Sequence, residues 1–88
     1  MSHYEIRLSR AAKRDLGHLP EKVRDVALAF IYGALAENPQ QVGAPLHAPF
    51  EGQHKAARGP YRVTYRIVEQ QVLVEIVRVA HRSDVYRP

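Results

Sequence analysis

The chain has 88 residues, of which 45% are hydrophobic and 25% charged, and its net charge is +4. This composition is typical of a folded protein and not of a disordered segment, and the length predicts a single domain spanning 1–88. The chain contains no cysteine, which excludes disulfides and thiolate chemistry. It also lacks an apolar N-terminal signal core and any apolar run near the roughly 18 residues of a membrane span, so we expect a cytoplasmic protein without membrane contact.

The charge is concentrated at one end of the sequence. Residues 52–88 hold seven of the 13 Lys and Arg residues but only three of the nine acids, whereas residues 1–51 hold six of each. The whole net charge therefore belongs to the last 37 residues. Such segregation favours a surface that binds a polyanion, although a soluble basic domain without such a ligand is an equally good reading of charge alone.

The N-terminal part predicts a strand followed by two helices. Residues 4–8 alternate apolar and polar side chains, as a half-buried strand does. Ser9 is a good N-cap for a short first helix that ends near Gly17. Pro20 suits the first turn of a second helix, whose apolar residues repeat at three- and four-residue spacing for about four turns. Residues 38–52, rich in Pro and Gly, indicate an ordered loop.

The C-terminal part changes to the two-residue period of strands. Tyr61–Ile67 places apolar side chains on one face and Arg62, Thr64 and Arg66 on the other. Residues 72–80 are apolar on both faces apart from Glu75 and Arg78, which indicates a central strand, while 53–58 are too poor in β-formers to assign. We expect an α+β fold: two N-terminal helices on one face of a small, mainly antiparallel sheet, with the last strand beside the first.

Several residues of this basic part could take part in catalysis or in ligand binding, but each also has a purely structural explanation. Arg62 offers a planar fork of donors for phosphate, or is a solvated sheet-face arginine paired with Glu75. Lys55 and Arg58 could reach the face of Arg62 and form a phosphate clamp with it, or could serve solubility only. His81, with Arg82 beside it, could transfer a proton, or could cap a strand end. Tyr86 could stack on a base, or pack the C-terminus onto the sheet.

Other chemistries find no support in the sequence. The remaining histidines show no metal-ligand spacing with one another or with acids, and no glycine-rich phosphate loop or G-x-S-x-G motif occurs. We therefore expect neither a metal nor a cofactor.

Two segments in this order resemble a known family. They are Arg58-Gly59-Pro60-Tyr61-Arg62-Val63-Thr64-Tyr65 and His81-Arg82-Ser83-Asp84-Val85-Tyr86. Together with the strand and helix order, and with Leu19-Pro20 and Glu51-Gly52 upstream, the chain resembles the RelE/ParE superfamily of type II toxin–antitoxin toxins, specifically its RelE branch.

The resemblance implies a metal-independent endoribonuclease that cuts mRNA in the ribosomal A site. In such enzymes the ribose 2′-hydroxyl attacks the adjacent phosphate. By motif, Arg62 matches the phosphate-binding arginine, and Lys55 and Arg58 match a basic stretch of catalytic or RNA-binding cations. His81 and Arg82 match a strand-end pair that supplies the acid, and Tyr86 matches a tyrosine that stacks on the base or helps to activate the nucleophile. Arg66 and Tyr61, on the strand of Arg62, are predicted to bind RNA.

The resemblance also implies a cognate antitoxin as partner and leaves two other functions open. One is a ParE-type inhibitor of DNA gyrase without nuclease activity, since a shared fold does not decide function. The other is a degenerate toxin kept only as a repressor partner. The chain departs from the family pattern at Ala56-Ala57, where many relatives carry another cation, and at Pro60, where Asp or Asn is commoner. Fewer cations predict weaker stabilisation of charge on the phosphate.

Overall fold

A computed structural model describes residues 3–81 of the chain. The elements follow in the order β1 (Glu5–Leu8), α1 (Arg10–His18), α2 (Glu21–Phe30), a π-helical turn (Ile31–Leu35), α3 (Pro39–Val42), β2 (Ala44–Pro45), β3 (Gln53–Arg58), β4 (Tyr61–Val68), a 3₁₀ turn (Glu69–Gln71) and β5 (Leu73–His81). This order confirms the predicted α+β class. Within this range no helix is both long and apolar enough to cross a membrane.

The strands form one sheet in the order β1-β5-β4-β3-β2. β1 runs parallel to β5, and the other neighbours are antiparallel, so the predictions of a central β5 and of a last strand beside the first are confirmed. The two helices α1 and α2 pack on one face. The core there includes Leu16, Ile31 and Leu35 from the helical segments and Val63, Tyr65 and Ile76 from the sheet.

The first helix begins as the sequence predicted and then covers a sheet edge. The hydroxyl of Ser9 accepts a hydrogen bond from the Ala12 N–H at 3.0 Å, which is N-cap geometry, and it donates one to the Val77 carbonyl at 2.7 Å. Farther along α1, the carboxylate of Asp15 accepts from the backbone N–H of Val79 at 2.9 Å. The helix thus provides a hydrogen-bond acceptor for a backbone N–H of β5 that β1 is too short to pair with.

The loop between α2 and β3 has more structure than its composition suggested. It contains α3 and the two-residue strand β2, and Gly43 lies where they meet. A Cβ at Gly43 would lie 2.5 Å from the Tyr65 hydroxyl and 2.6 Å from the Lys55 carbonyl, so this close approach of chains requires glycine. The Tyr65 hydroxyl donates to the Pro39 carbonyl at 2.6 Å, and burial raises the pKa of Tyr65 to about 12.

The hairpin between β4 and β5 turns without the usual Gly or Asn. The 3₁₀ turn Glu69–Gln71 is followed by Val72 in the left-handed region, with φ of 49°. A β-branched residue is strained in that region, so this position favours glycine over the valine present.

The same hairpin contains a bulge between Thr64 and Tyr65 of β4, opposite which Val77 has no partner.

Candidate nucleic-acid interface

The sheet face opposite the helices collects cations from neighbouring strands. Directly opposed residues share a face, and the register pairs Lys55 with Thr64 and Ala57 with Arg62. Lys55 and Arg62 are therefore diagonal neighbours on one face, with Cα atoms roughly 7–8 Å apart. Arg66, two residues beyond Thr64, belongs to the same face. We call the face that carries Lys55, Arg62 and Arg66 the cationic face.

The three cations differ in what they contact. Arg66 forms an ion pair with Glu75, with 3.0 Å between Nη2 and Oε1. The prediction that Glu75 would pair with Arg62 is wrong, because Arg62 lies opposite Ala80, and the bulge places Glu75 opposite Arg66. Within residues 3–81, neither Lys55 nor Arg62 forms an ion pair or a side-chain hydrogen bond. These two charges are the ones that a phosphate would meet without displacing a carboxylate.

Arg58 lies on the opposite face of the sheet, so the expectation that it would share the face of Arg62 is wrong. It is opposed to Tyr61, and its guanidinium sits 5.0 Å from the centroid of the Phe30 ring. The same group donates to the carbonyls of Val42 at 2.8 Å and Ala57 at 2.9 Å. The physical reason is the strand alternation of β3: residues an odd number of positions apart, such as 55 and 58, point to opposite faces.

Tyr61 belongs to the core. Its exposed fraction is 3%, and its ring centroid lies 6.1 Å from that of Phe30. Burial raises the pKa of Tyr61, against the opposing effect of the Arg58 charge. Although predicted to bind RNA, this ring is covered by protein and has no open side to offer to a base.

His81 is the last residue of β5 and is half-buried. It is opposed to Tyr61, whereas Ala80 is opposed to Arg62. By strand alternation, Ala80 and not His81 shares the cationic face, so the register does not bring His81 and Arg62 together on one side. Arg82 and Tyr86, the other predicted strand-end residues, lie outside the described residues.

A groove that the sequence did not predict opens beside the cations. It has a volume of about 320 Å³ and is lined by Leu46, Phe50, Gln53, Thr64, Val77 and Arg78. Thr64 belongs to the cationic face, and the bulge turns Val77 toward the same side. Only tertiary structure reveals this groove, because the loop of Leu46 and Phe50 carries no sequence signal for a binding site.

Arg78 forms one wall of this groove and is held in place by α1. Its Nε and Nη2 donate to the two carboxylate oxygens of Asp15 at 2.8 and 3.1 Å. Burial alone would raise the pKa of Asp15, but the hydrogen bonds from Arg78 and the Val79 N–H and the nearby arginine charges lower it below its usual range. In return, the hydrogen bond and charge of Asp15 raise the pKa of Arg78.

No group of three or more His, Asp or Glu side chains in the described part of the chain is arranged to hold a metal ion. Within that part, the cationic face carries cations, neutral hydrogen-bonding groups and the carboxylate of Glu75, which is paired with Arg66.

Comparison with known proteins places this arrangement in a family. Residues 6–86 match the family model described as "ParE toxin of type II toxin-antitoxin system, parDE". The chain belongs to the RelE/ParE superfamily of type II toxins. It is 43% identical over 84 residues to Toxin RelE of Mycobacterium tuberculosis, covering 96% of this chain and 87% of that protein. It is 40% identical to Toxin RelG of the same organism, covering 96% and 97%.

A solved structure carries the same fold. The RelBE2 toxin–antitoxin complex of Mycobacterium tuberculosis contains a chain that superposes with a TM-score of 0.91 at 39% identity, covering 96% of this chain and 97% of that one. These findings make the protein a toxin of the RelE type and confirm both the recognised family and the predicted fold.

Proposed function

We propose that this RelE-type toxin is a metal-independent endoribonuclease that cleaves mRNA in the ribosomal A site. The observation that carries the proposal is the pair of cations on the cationic face, Lys55 and Arg62, which have no ion-pair partner within residues 3–81. Two adjacent cations held on rigid strands suit the oxygens of one phosphate.

The proposed reaction is a transesterification. The ribose 2′-oxygen forms a bond to the adjacent phosphorus while the bond from phosphorus to the 5′-oxygen breaks, which leaves a 2′,3′-cyclic phosphate and a 5′-hydroxyl. The 2′-hydroxyl proton passes to a base, and the departing 5′-oxygen takes a proton from an acid. Negative charge accumulates on the non-bridging oxygens, where Lys55 and Arg62 would stabilise it.

The strand-end residues are the proposed source of the proton transfers. By the family motif, we propose that His81 and Arg82 supply the acid and that Tyr86 stacks on the base or helps to activate the nucleophile. Single substitutions at each of the three, compared by the pH dependence of the cleavage rate, test which one supplies the acid.

The decisive test is primer extension on cellular mRNA after the toxin is induced. We expect cuts at fixed positions within codons for the wild type and a loss of about 10²–10³-fold in cleavage for Arg62→Ala, as for other removed oxyanion donors. Lys22→Ala, which removes an exposed cation from α2, is the charge-matched control and should cut normally. Full cleavage by a folded Arg62→Ala variant would contradict the assigned role.

A gyrase inhibitor of the ParE type is the second candidate, because the matching family model is described by that name. The same induction experiment separates the two functions. Intact mRNA together with broken DNA would establish gyrase inhibition, and cut mRNA with intact DNA would establish the nuclease.

We further propose that a cognate antitoxin binds the chain, as in the RelBE2 complex to which it is similar. An acidic or amphipathic segment that orders on binding would complement the basic part of the toxin. If that segment covers the cationic face, it blocks the proposed RNA site directly.

A further inference from the structure

The groove beside the cationic face has the features of a binding site for a flat ring. Its volume of about 320 Å³ is at the small end of ligand pockets, which run from about 300 to 1,000 Å³. Its floor includes Thr64, which lies between Arg62 and Arg66 on β4 and opposite Lys55 on β3. The groove therefore begins beside the strand positions of Lys55 and Arg62, which form no ion pair within residues 3–81.

Phe50 supplies an exposed aromatic wall. Its exposed fraction is 54%, so one side of the ring is open to a ligand. The surrounding loop is held by three backbone hydrogen bonds, from Phe50 to His47 at 2.9 Å, from Gln53 to Phe50 at 3.1 Å and from Leu46 to Gln53 at 2.8 Å. The ring is thus mounted on ordered backbone next to positive charge, which is how single-stranded nucleic acid sites present a stacking platform.

The groove also offers polar groups suited to the edge of a base. The amide of Gln53 carries donors and acceptors, and the hydroxyl of Thr64 can act as either. Within residues 3–81, neither side chain has a hydrogen-bond partner, although both are half-buried. Across the groove, the planar guanidinium of Arg78 is fixed in orientation by its two hydrogen bonds to Asp15.

We propose that this groove is a nucleobase subsite, in which Phe50 stacks on a base of the single-stranded RNA whose phosphate lies on Lys55 and Arg62, while Gln53 and Thr64 contact the edge of that base. The assignment rests on the proposed endoribonuclease function for its biological meaning. The positive charge around the groove favours a base attached to phosphates over an apolar side chain of a protein partner.

The test measures binding without cleavage. A dye-labelled trinucleotide with 2′-O-methyl groups has no free nucleophile, and a matched trinucleotide lacks the central base but keeps its phosphates. Fluorescence anisotropy gives the affinity of the full chain for each, and the ratio of the two affinities isolates the contribution of the base. The variants are Phe50→Ala, Phe50→Tyr and, as a matched control, Tyr32→Ala, which removes an aromatic ring of 53% exposure from the π-helical turn.

We expect the wild type to prefer the intact trinucleotide by about tenfold or more, as base stacking on an aromatic side chain typically gives. Phe50→Ala should bring the ratio close to one, whereas Phe50→Tyr and Tyr32→Ala should keep it. Thr64→Val should shift the preference among trinucleotides that differ only in the central base.

Two outcomes would overturn the subsite: a wild type that binds both trinucleotides equally, or a folded Phe50→Ala variant with the wild-type ratio. Weakened antitoxin binding by Phe50→Ala with an unchanged ratio would also overturn it and make the groove a protein-docking site. Primer extension on the wild type reports separately on the nuclease. A base-dependent ratio without mRNA cuts would therefore retain the subsite and reject the proposed function.

Discussion

Two cations of one short strand, Lys55 and Arg58, illustrate how position decides the role of a side chain. They are three residues apart on β3, so Lys55 faces solvent on the cationic face and Arg58 turns toward α2. Arg58 holds the loop at Val42 and covers the ring of Phe30. Its charge contributes to packing, whereas Lys55 forms no ion pair within residues 3–81.

This difference predicts opposite phenotypes for two arginine variants. Arg58→Ala should lower the free energy of unfolding by about 1–2 kcal/mol, because it removes a cation–π contact and a hydrogen bond to a carbonyl. It should leave the codon-positioned cuts intact at a temperature where the variant is folded. Arg62→Ala should leave the free energy of unfolding nearly unchanged and remove the codon-positioned cuts. Thermal unfolding and primer extension on both variants check this, and a stable Arg58→Ala variant that fails to cut would show that Arg58 contacts RNA after all.

The alanine pair of β3 predicts a gain of function. Ala57 is exposed and lies opposite Arg62, whereas Ala56 is 1% exposed and lies in the core opposite Val63. Ala57→Lys should raise the cleavage rate several-fold, since it adds a third unpaired cation beside the phosphate.

Ala56→Lys is the control for this substitution, because it adds the same charge at a buried position and should destabilise the fold. Single-turnover cleavage and thermal unfolding distinguish the two variants. An Ala57→Lys variant that is no faster than the wild type would contradict the proposed position of the phosphate.

At the scale of elements, the contact between α1 and β5 makes stability depend on pH. The pKa of Asp15 is lowered in the folded chain, so its carboxylate stabilises the fold above the ordinary Asp pKa of about 3.9, and this contribution is lost as the pH falls through the lower folded value. Asp15→Asn should cost about 1–3 kcal/mol at pH 7, because the hydrogen bonds to Arg78 and Val79 lose their charged acceptor. The difference from the wild type should shrink below pH 4.

Urea unfolding of both proteins between pH 3 and pH 7 measures this difference. Asp25→Asn, at an exposed position of α2, is the control and should show little change. A difference between wild type and Asp15→Asn that stays constant across this range would exclude the carboxylate as its source.

The elements that sequence predicted well are those with a strong local pattern. β1, the cap at Ser9 and the alternating strand β4 follow directly from side-chain periodicity. β3 escaped prediction because Gln53–Arg58 owes its conformation to pairing with β4 on one side and β2 on the other, and not to its own propensity.

The candidate site was likewise predictable only where a local pattern or a family motif marks it. The outward position of Arg62 follows from periodicity, and the family motif adds its role. Arg58 faces the other side because β3 alternates, but β3 has no strand signal of its own, and the pairing of Glu75 with Arg66 depends on strand register and on the bulge. Neither register nor bulge has a signal in this sequence, so Phe50 and its groove also appear only in the folded chain.

At the scale of the whole molecule, the concentration of charge toward the C-terminal part predicts how the antitoxin complex responds to salt. If the antitoxin covers the cationic face, the association constant should fall steadily as salt rises from 50 to 300 mM, because salt screens exposed charges. A Lys55→Ala/Arg62→Ala double variant should show a shallower dependence. Titration calorimetry across this range checks both expectations, and an affinity indifferent to salt would place the antitoxin on another surface.

The covered edge of β5 has a consequence for behaviour in solution. Unpaired strand edges can pair with a strand of another chain, which extends the sheet from molecule to molecule and leads to aggregation. Here β1 is four residues long, β2 only two, and the stretch of β5 beyond β1 has its Val79 N–H occupied by Asp15. These short or occupied edges limit the backbone surface on which fibres and aggregates grow.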